Sequence, residues 1–218
     1  MSSLPTTHDD LAVGGWAGRV MVFLRVGTQL VAVNVLVALG TLAGGIVLGA
    51  YPALGAGGSV LARLAGGTPS EHLWQEFWAA YRAGFRRLNV LGAPLTVGFL
   101  LLALDASVLA AASAGPVRAV LLVGLVAMTA YLVVALATLV PVARRYEDVP
   151  ATRTWRFVAV APLLSPLTGL AVLVAFAVLA VTFTYVTVLL PLVGLSLPLL
   201  VSGWLVDQRL TTLDARAA

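Results

Sequence analysis

The run "FVAVAPLLSPLTGLAVLVAFAVLAVTFTYVTVLLPLVGLSLPLLVSGWL", from Phe157 to Leu205, contains no Asp, Glu, Lys or Arg. A helix that crosses a bilayer needs roughly 20 mostly apolar residues, so this run alone holds two spans. The rest of the chain is similar. Of its 218 residues, 61% are hydrophobic and 10% charged, with a mean hydropathy of +1.03. A soluble domain is about 45–50% apolar and about 25% charged. A chain this apolar cannot cover itself with a polar surface. The fold class is therefore all-α, a polytopic membrane helix bundle.

There is no cysteine, which excludes disulfide frameworks, thiolate chemistry and Cys-ligated metals. All 13 basic residues are arginine. With the Ala, Val, Leu and Gly load, this suggests a GC-rich bacterial genome. The opening MSSLPTTHDD is polar and acidic, unlike the basic start of a signal peptide. It is expected to be a retained tail.

Arginines and turn residues divide the chain into three apolar blocks. The first run, Val26 to Ala50, carries Gly40-x-x-x-Gly44 and Gly45-x-x-x-Gly49. Small residues four apart let helices approach closely in lipid. Pro52 suits the first turn of a second, shorter helix ending at Leu64. Gly40, Gly44, Gly45, Gly49 and Pro52 are thus the candidate packing or hinge positions. The second block runs from Val90 to Val142, with a turn at Ser113–Pro116, and the third from Phe157 to Val206. This predicts six helices in three hairpins within a single domain over residues 26–206. Residues 1–25 and 207–218 are expected to be cytoplasmic tails. Arginine near span ends favours the cytoplasm. Placing both termini inside puts all the arginines but Arg118 on one face. The expected location is the inner membrane of a bacterium.

One stretch departs from this background. "EHLWQEFWAAYRAGFRRLN", residues 71–89, concentrates aromatics and arginines. At 100° per residue, Trp74, Phe77, Trp78, Tyr81 and Phe85 share a face, while Arg82 and Arg86 lie opposite. Arg87 follows. Trp and Tyr favour the headgroup level, and such amphipathic helices lie in the interface plane. The spacing predicts a separate interfacial helix here.

The residues that stand out form a wider pattern. Asn34 is followed by Gly49-Ala50-Tyr51-Pro52-Ala53. Next comes Phe77-Trp78-x-x-Tyr81-x-x-x-Phe85-Arg86-Arg87-x-Asn89-x-Leu91-Gly92, and later Val140-Pro141-Val142-Ala143-Arg144-Arg145-Tyr146. This resembles the YesL-like family of bacterial membrane proteins of unknown function, best over Asn34 to Gly92. Members of that family are often encoded beside carbohydrate ABC-transporter components and glycoside-degrading enzymes. The resemblance implies a role near sugar uptake, with ABC-transporter membrane subunits as partners, and no mechanism. The Gly55-Ala56-Gly57-Gly58 run is richer in glycine than the family pattern.

Asp105 is the one carboxylate well inside an apolar run, and intramembrane carboxylates often mark ion or substrate paths. It can equally pair with Arg118 across the outer turn or reach the outer headgroups, since the cost falls near a span end. His8 and His72 are the only histidines, too few for a zinc site of three or four ligands. Gly55-x-Gly-Gly lacks the strand and the Lys-Ser/Thr of a phosphate loop, so close packing or a hinge explains it better. Gln29 and Asn34 can line a path or bond a neighbouring helix. Pro162, Pro166, Pro191 and Pro198 interrupt the last block; broken helices can frame transporter sites, though packed kinks are commoner. No serine, carboxylate and histidine fall at a common depth, so no enzyme, cofactor or metal is expected, nor a nucleic-acid partner. An accessory protein of carbohydrate uptake is the leading reading; a small-solute transporter or channel is the alternative.

Overall fold

The computed structural model describes residues 16–68, 70, 72–111 and 113–217. Every regular element among them is a helix. In order these are α1 (Trp16–Ala43), α2 (Val47–Ala65), α3 (Leu73–Ala111), α4 (Pro116–Arg145), α5 (Ala151–Leu164), α6 (Pro166–Tyr185), α7 (Leu189–Val193) and α8 (Ser196–Ala217). Four are long and apolar enough to cross a membrane: Phe23–Ala43 of α1, then α3, α4 and α6. Much of their outer surface is exposed Leu and Val, such as Leu100, Leu104, Val120, Val123 and Val178. That is the surface expected where lipid is the solvent.

The eight helices replace the six expected from the sequence, and the boundaries shift for physical reasons. Residues 16–25 are the opening turns of α1, not a tail. The chain beyond Asp207 continues α8 to Ala217. The first hairpin reverses at Gly44–Ile46, upstream of Pro52. Gly45 has φ 71° and Ile46 φ 66° with ψ −70°. Val47 N–H donates to Gly45 O at 2.8 Å, closing a γ-turn centred on Ile46, the rare and strained kind. With the turn supplied there, Pro52 falls inside α2 and is buried. In the last block, breaks at Ser165–Pro166, Val186–Val188 and around Gly194 give four helices instead of two.

The expected interfacial helix is not a separate element. Residues 73–111 form one helix of 39 residues. At 1.5 Å per residue this is about 58 Å, about twice the roughly 30 Å hydrocarbon core of a bilayer. Besides Gly92, its buried residues are Phe77, Tyr81, Leu88, Leu91, Leu95, Leu102 and Leu109. Their spacing of three, four and seven keeps a single apolar stripe along the whole rod, so nothing breaks the helix at Asn89.

Two cores result. One gathers Val33, Leu36 and Val37 of α1, Ala53, Ala56, Val60 and Leu61 of α2, and Phe77 and Tyr81 of α3. The other joins α3, α4, α5 and α8 around Leu91, Leu95, Leu139, Val142, Val158 and Val206. The Gly55–Gly58 run lies in α2 between them. A Cβ on Gly55 would stand 2.3 Å from Leu88, one on Gly57 2.6 Å from Val37, and one on Gly58 2.5 Å from Val140. These glycines let three neighbouring helices close on α2.

Candidate functional site at the arginine-bearing end of the bundle

Arginine side chains join the helices at one end of the bundle. Arg63 in the last turn of α2 pairs with Glu76 in the first turn of α3 at 2.7 Å. Arg87 of α3 reaches the end of α4. Its Nη1 donates to Ala143 O at 2.6 Å, and its Nη2 donates to Tyr146 O at 2.6 Å and Val149 O at 3.5 Å. The last carbonyls of a helix lack intrahelical partners and carry the negative end of its dipole, so one planar cation satisfies both needs. Arg144 donates to Gly58 O at 3.2 Å and forms an ion pair with Asp207 of α8. Arg145 reaches Thr211 Oγ1 at 3.5 Å. Arg209 Nε donates to Ser165 Oγ at 3.1 Å.

Two clefts open at this end. The larger, about 420 Å³, lies between α2, α3 and α4 and carries Ser59, Arg87, Arg144, Glu147 and Asp148 on its walls. The other, about 200 Å³, lies between α2, α4 and α8 beside Arg144, Asp207 and Gln208. Arg82, Arg86, Arg153 and Arg156 are exposed nearby in sequence and fold. The arrangement can bind anions or acidic surfaces. The described residues contain no group of three His, Asp or Glu able to hold a metal ion. His72 is exposed, and His8 lies outside the described residues.

The aromatic motif is divided between two environments. Phe77 is fully buried and Tyr81 nearly so, whereas Trp74 is 58% exposed. Tyr81 Oη donates to Gly40 O at 2.9 Å. Trp78 and Phe85 sit edge-on to Tyr81, with centroids 5.2 and 5.6 Å away. Much of the motif therefore packs protein on protein. Gly40 faces Phe77 and Ala53. Gly44 and Gly49 press together; a Cβ on Gly44 would stand 2.3 Å from Gly49 Cα.

Asp105 is exposed and forms no ion pair with Arg118, whose Nε is buried without a partner. The two residues lie on α3 and α4, at the end of the bundle opposite the arginine cluster, and the fold does not join them. Asn34 instead ties α1 to the break before α8. Its Nδ2 donates to Pro191 O at 2.7 Å, and its Oδ1 accepts from Leu195 N at 2.7 Å and Ser196 N at 3.3 Å. Gln29 Nε2 donates to Ser70 O at 3.2 Å. Sequence reasoning missed the Arg144–Asp207 and Arg209–Ser165 contacts. Their partners lie 63 and 44 residues apart, and no local spacing encodes such pairs. The one available signal was that these charges flank apolar runs on the same expected face.

Comparison with known families finds a match over residues 30–106 to a family described as "Protein of unknown function, DUF624". The matched stretch holds the second half of α1, all of α2, and α3 through Ala106. No curated protein and no solved structure matches the chain.

Proposed function

We propose that this chain is an integral membrane accessory protein of carbohydrate uptake, which acts by seating other membrane subunits against its helices. The observation that carries the reading is how its interior polar groups are used. Asn34, Arg87 and Tyr81 are engaged on backbone of neighbouring helices. Tyr51 and Thr96 are bonded to each other at 2.8 Å, and Tyr131 donates to Ala159 O. Such bonds hold helices together; a coupled transport path usually needs ionisable groups converging within the membrane. The family match supplies no activity. The tie to sugar uptake rests on the resemblance of Asn34–Gly92 to the YesL-like pattern, and the cytoplasmic placement of the arginine end rests on the positive-inside rule.

One observation favours a small-solute transporter instead. Helices break at Ser165–Pro166 and at Gly194–Leu195, and broken helices frame binding sites in transporters. Reconstitution separates the two readings. The purified protein alone in liposomes should move no sugar, while carbohydrate ABC-transporter membrane subunits should co-purify with it in mild detergent. Substrate-specific flux that disappears in Asp105→Asn would overturn the accessory reading.

A further inference from the structure

A third cleft, of about 200 Å³, lies between α4, α5, α6 and α8. Its walls are apolar, from Val134, Val142, Phe157, Val172 and Leu210, and its polar edge is formed by Arg209, Ser165 and Thr168. We propose that this cleft takes a stretch of one acyl chain of an anionic phospholipid, with the headgroup phosphate on Arg209. Such a site is smaller than the about 300–1,000 Å³ of small-molecule pockets, so the rest of the lipid stays in the bilayer. Leu164 at the edge and its neighbours Leu163 and Leu167 are exposed, which opens the cleft toward lipid.

The polar edge has unspent donors. Arg209 is partly buried, and its Nε bond to Ser165 is its sole hydrogen bond or ion pair among the described residues, leaving both Nη groups free. The nearest acid on its helix, Asp207, is taken by Arg144. Ser165 Oγ accepts from Arg209 and keeps its own proton to donate. Thr129, Thr182 and Thr184 donate to the carbonyl four residues back at 2.7–2.9 Å. Thr168 makes no such bond, because the carbonyl four residues back belongs to Leu164, across the Ser165–Pro166 break. A guanidinium with two free amino groups matches a phosphate oxygen pair. Arg209 also stands two residues beyond the Arg144–Asp207 pair, at the arginine-bearing end, where headgroups lie if that end meets the bilayer surface. A hydrophobic slot that ends in a half-buried cation fits a lipid better than a free anion.

The test uses the full chain in detergent, titrated with dioleoyl phosphatidylglycerol or dioleoyl phosphatidylcholine and read by native mass spectrometry. One phosphatidylglycerol per chain should be retained in preference to phosphatidylcholine. Arg209→Gln should weaken that retention roughly fivefold, the size expected for one basic side chain at a membrane surface. Arg25→Gln removes the same charge at an exposed position of α1 outside the cleft and should leave it unchanged. Ala161→Phe narrows the apolar slot with Arg209 intact and should also lose the retained lipid. Should Arg209→Gln fail to fold, Arg209→Lys serves in its place, with the preference kept but weakened. Equal losses in the Arg209 and Arg25 variants, no loss in Arg209→Gln or Ala161→Phe, or displacement of the lipid by inorganic phosphate would each overturn the proposal.

Discussion

Ile46 shows how one residue sets the geometry of a hairpin. It holds φ 66° although β-branched, and its side chain is exposed, so packing gives it nothing in return. Strained backbone of this kind costs about 1–3 kcal/mol. Ile46→Gly should therefore raise stability by about 1 kcal/mol, seen as a higher melting temperature in detergent, whereas Ile46→Ala should not. Arg87 shows the opposite balance. Its guanidinium serves carbonyls at the end of α4 that have few other partners. Arg87→Met keeps the apolar stem and strips those bonds, and should cost about 2–3 kcal/mol, since hydrogen bonds to charged groups contribute about 1.5–3 kcal/mol each. Arg87→Lys should recover only part of this, because a single ammonium cannot fork between two carbonyls. Chemical denaturation in mixed micelles compares the three proteins.

Among the elements, α3 carries the clearest structural claim. A separate interfacial helix would turn near Asn89; the single buried stripe from Phe77 to Leu109 keeps one rod instead. Gln75 and Val97 are both exposed on it. Spin labels on cysteines at these positions should report a backbone separation of about 33 Å for a continuous helix, against about 24 Å for a right-angled bend at Asn89. The measurement is clean because the chain has no native cysteine. The short distance would restore the interfacial helix. The same stripe accounts for the aromatic cluster, since Phe77 fills the space that Gly40 leaves on α1 and the Tyr81 hydroxyl lies against Gly44.

At the scale of the molecule, the arginines gather the ends of α2, α4 and α8 and the first half of α3 on one side, with Arg118 at the opposite end of α4. If that cluster is cytoplasmic, as arginine bias favours, a cysteine at Ser113 should react with an impermeant maleimide in intact cells. A cysteine at Thr212 should react only after permeabilisation. The reverse pattern would invert the protein in the membrane and place the lipid cleft on the outer leaflet.

Composition and hydropathy by themselves determined that the chain is helical and made for a bilayer, because a surface so poor in charge has no other favourable solvent. They also located the α3–α4 turn and most of α4, since the apolar run from Val117 to Val142 falls within its observed span of Pro116–Arg145. Local patterns could not place the first reversal, because Gly44–Ile46 and Tyr51–Pro52 are both plausible turns and only the packing of Gly44 against Gly49 decides between them. Nor could they show that the aromatic face of residues 73–89 packs largely against protein. The same amphipathic periodicity suits a lipid headgroup layer or a neighbouring helix, and the choice is made at the end of α1, where Phe77 lies against Gly40 and the Tyr81 hydroxyl against Gly44. The contacts of Arg87, Arg144 and Arg209 belong wholly to the tertiary structure. Each joins residues dozens of positions apart, where one guanidinium meets a carbonyl, carboxylate or hydroxyl oxygen that only the assembled bundle brings within reach.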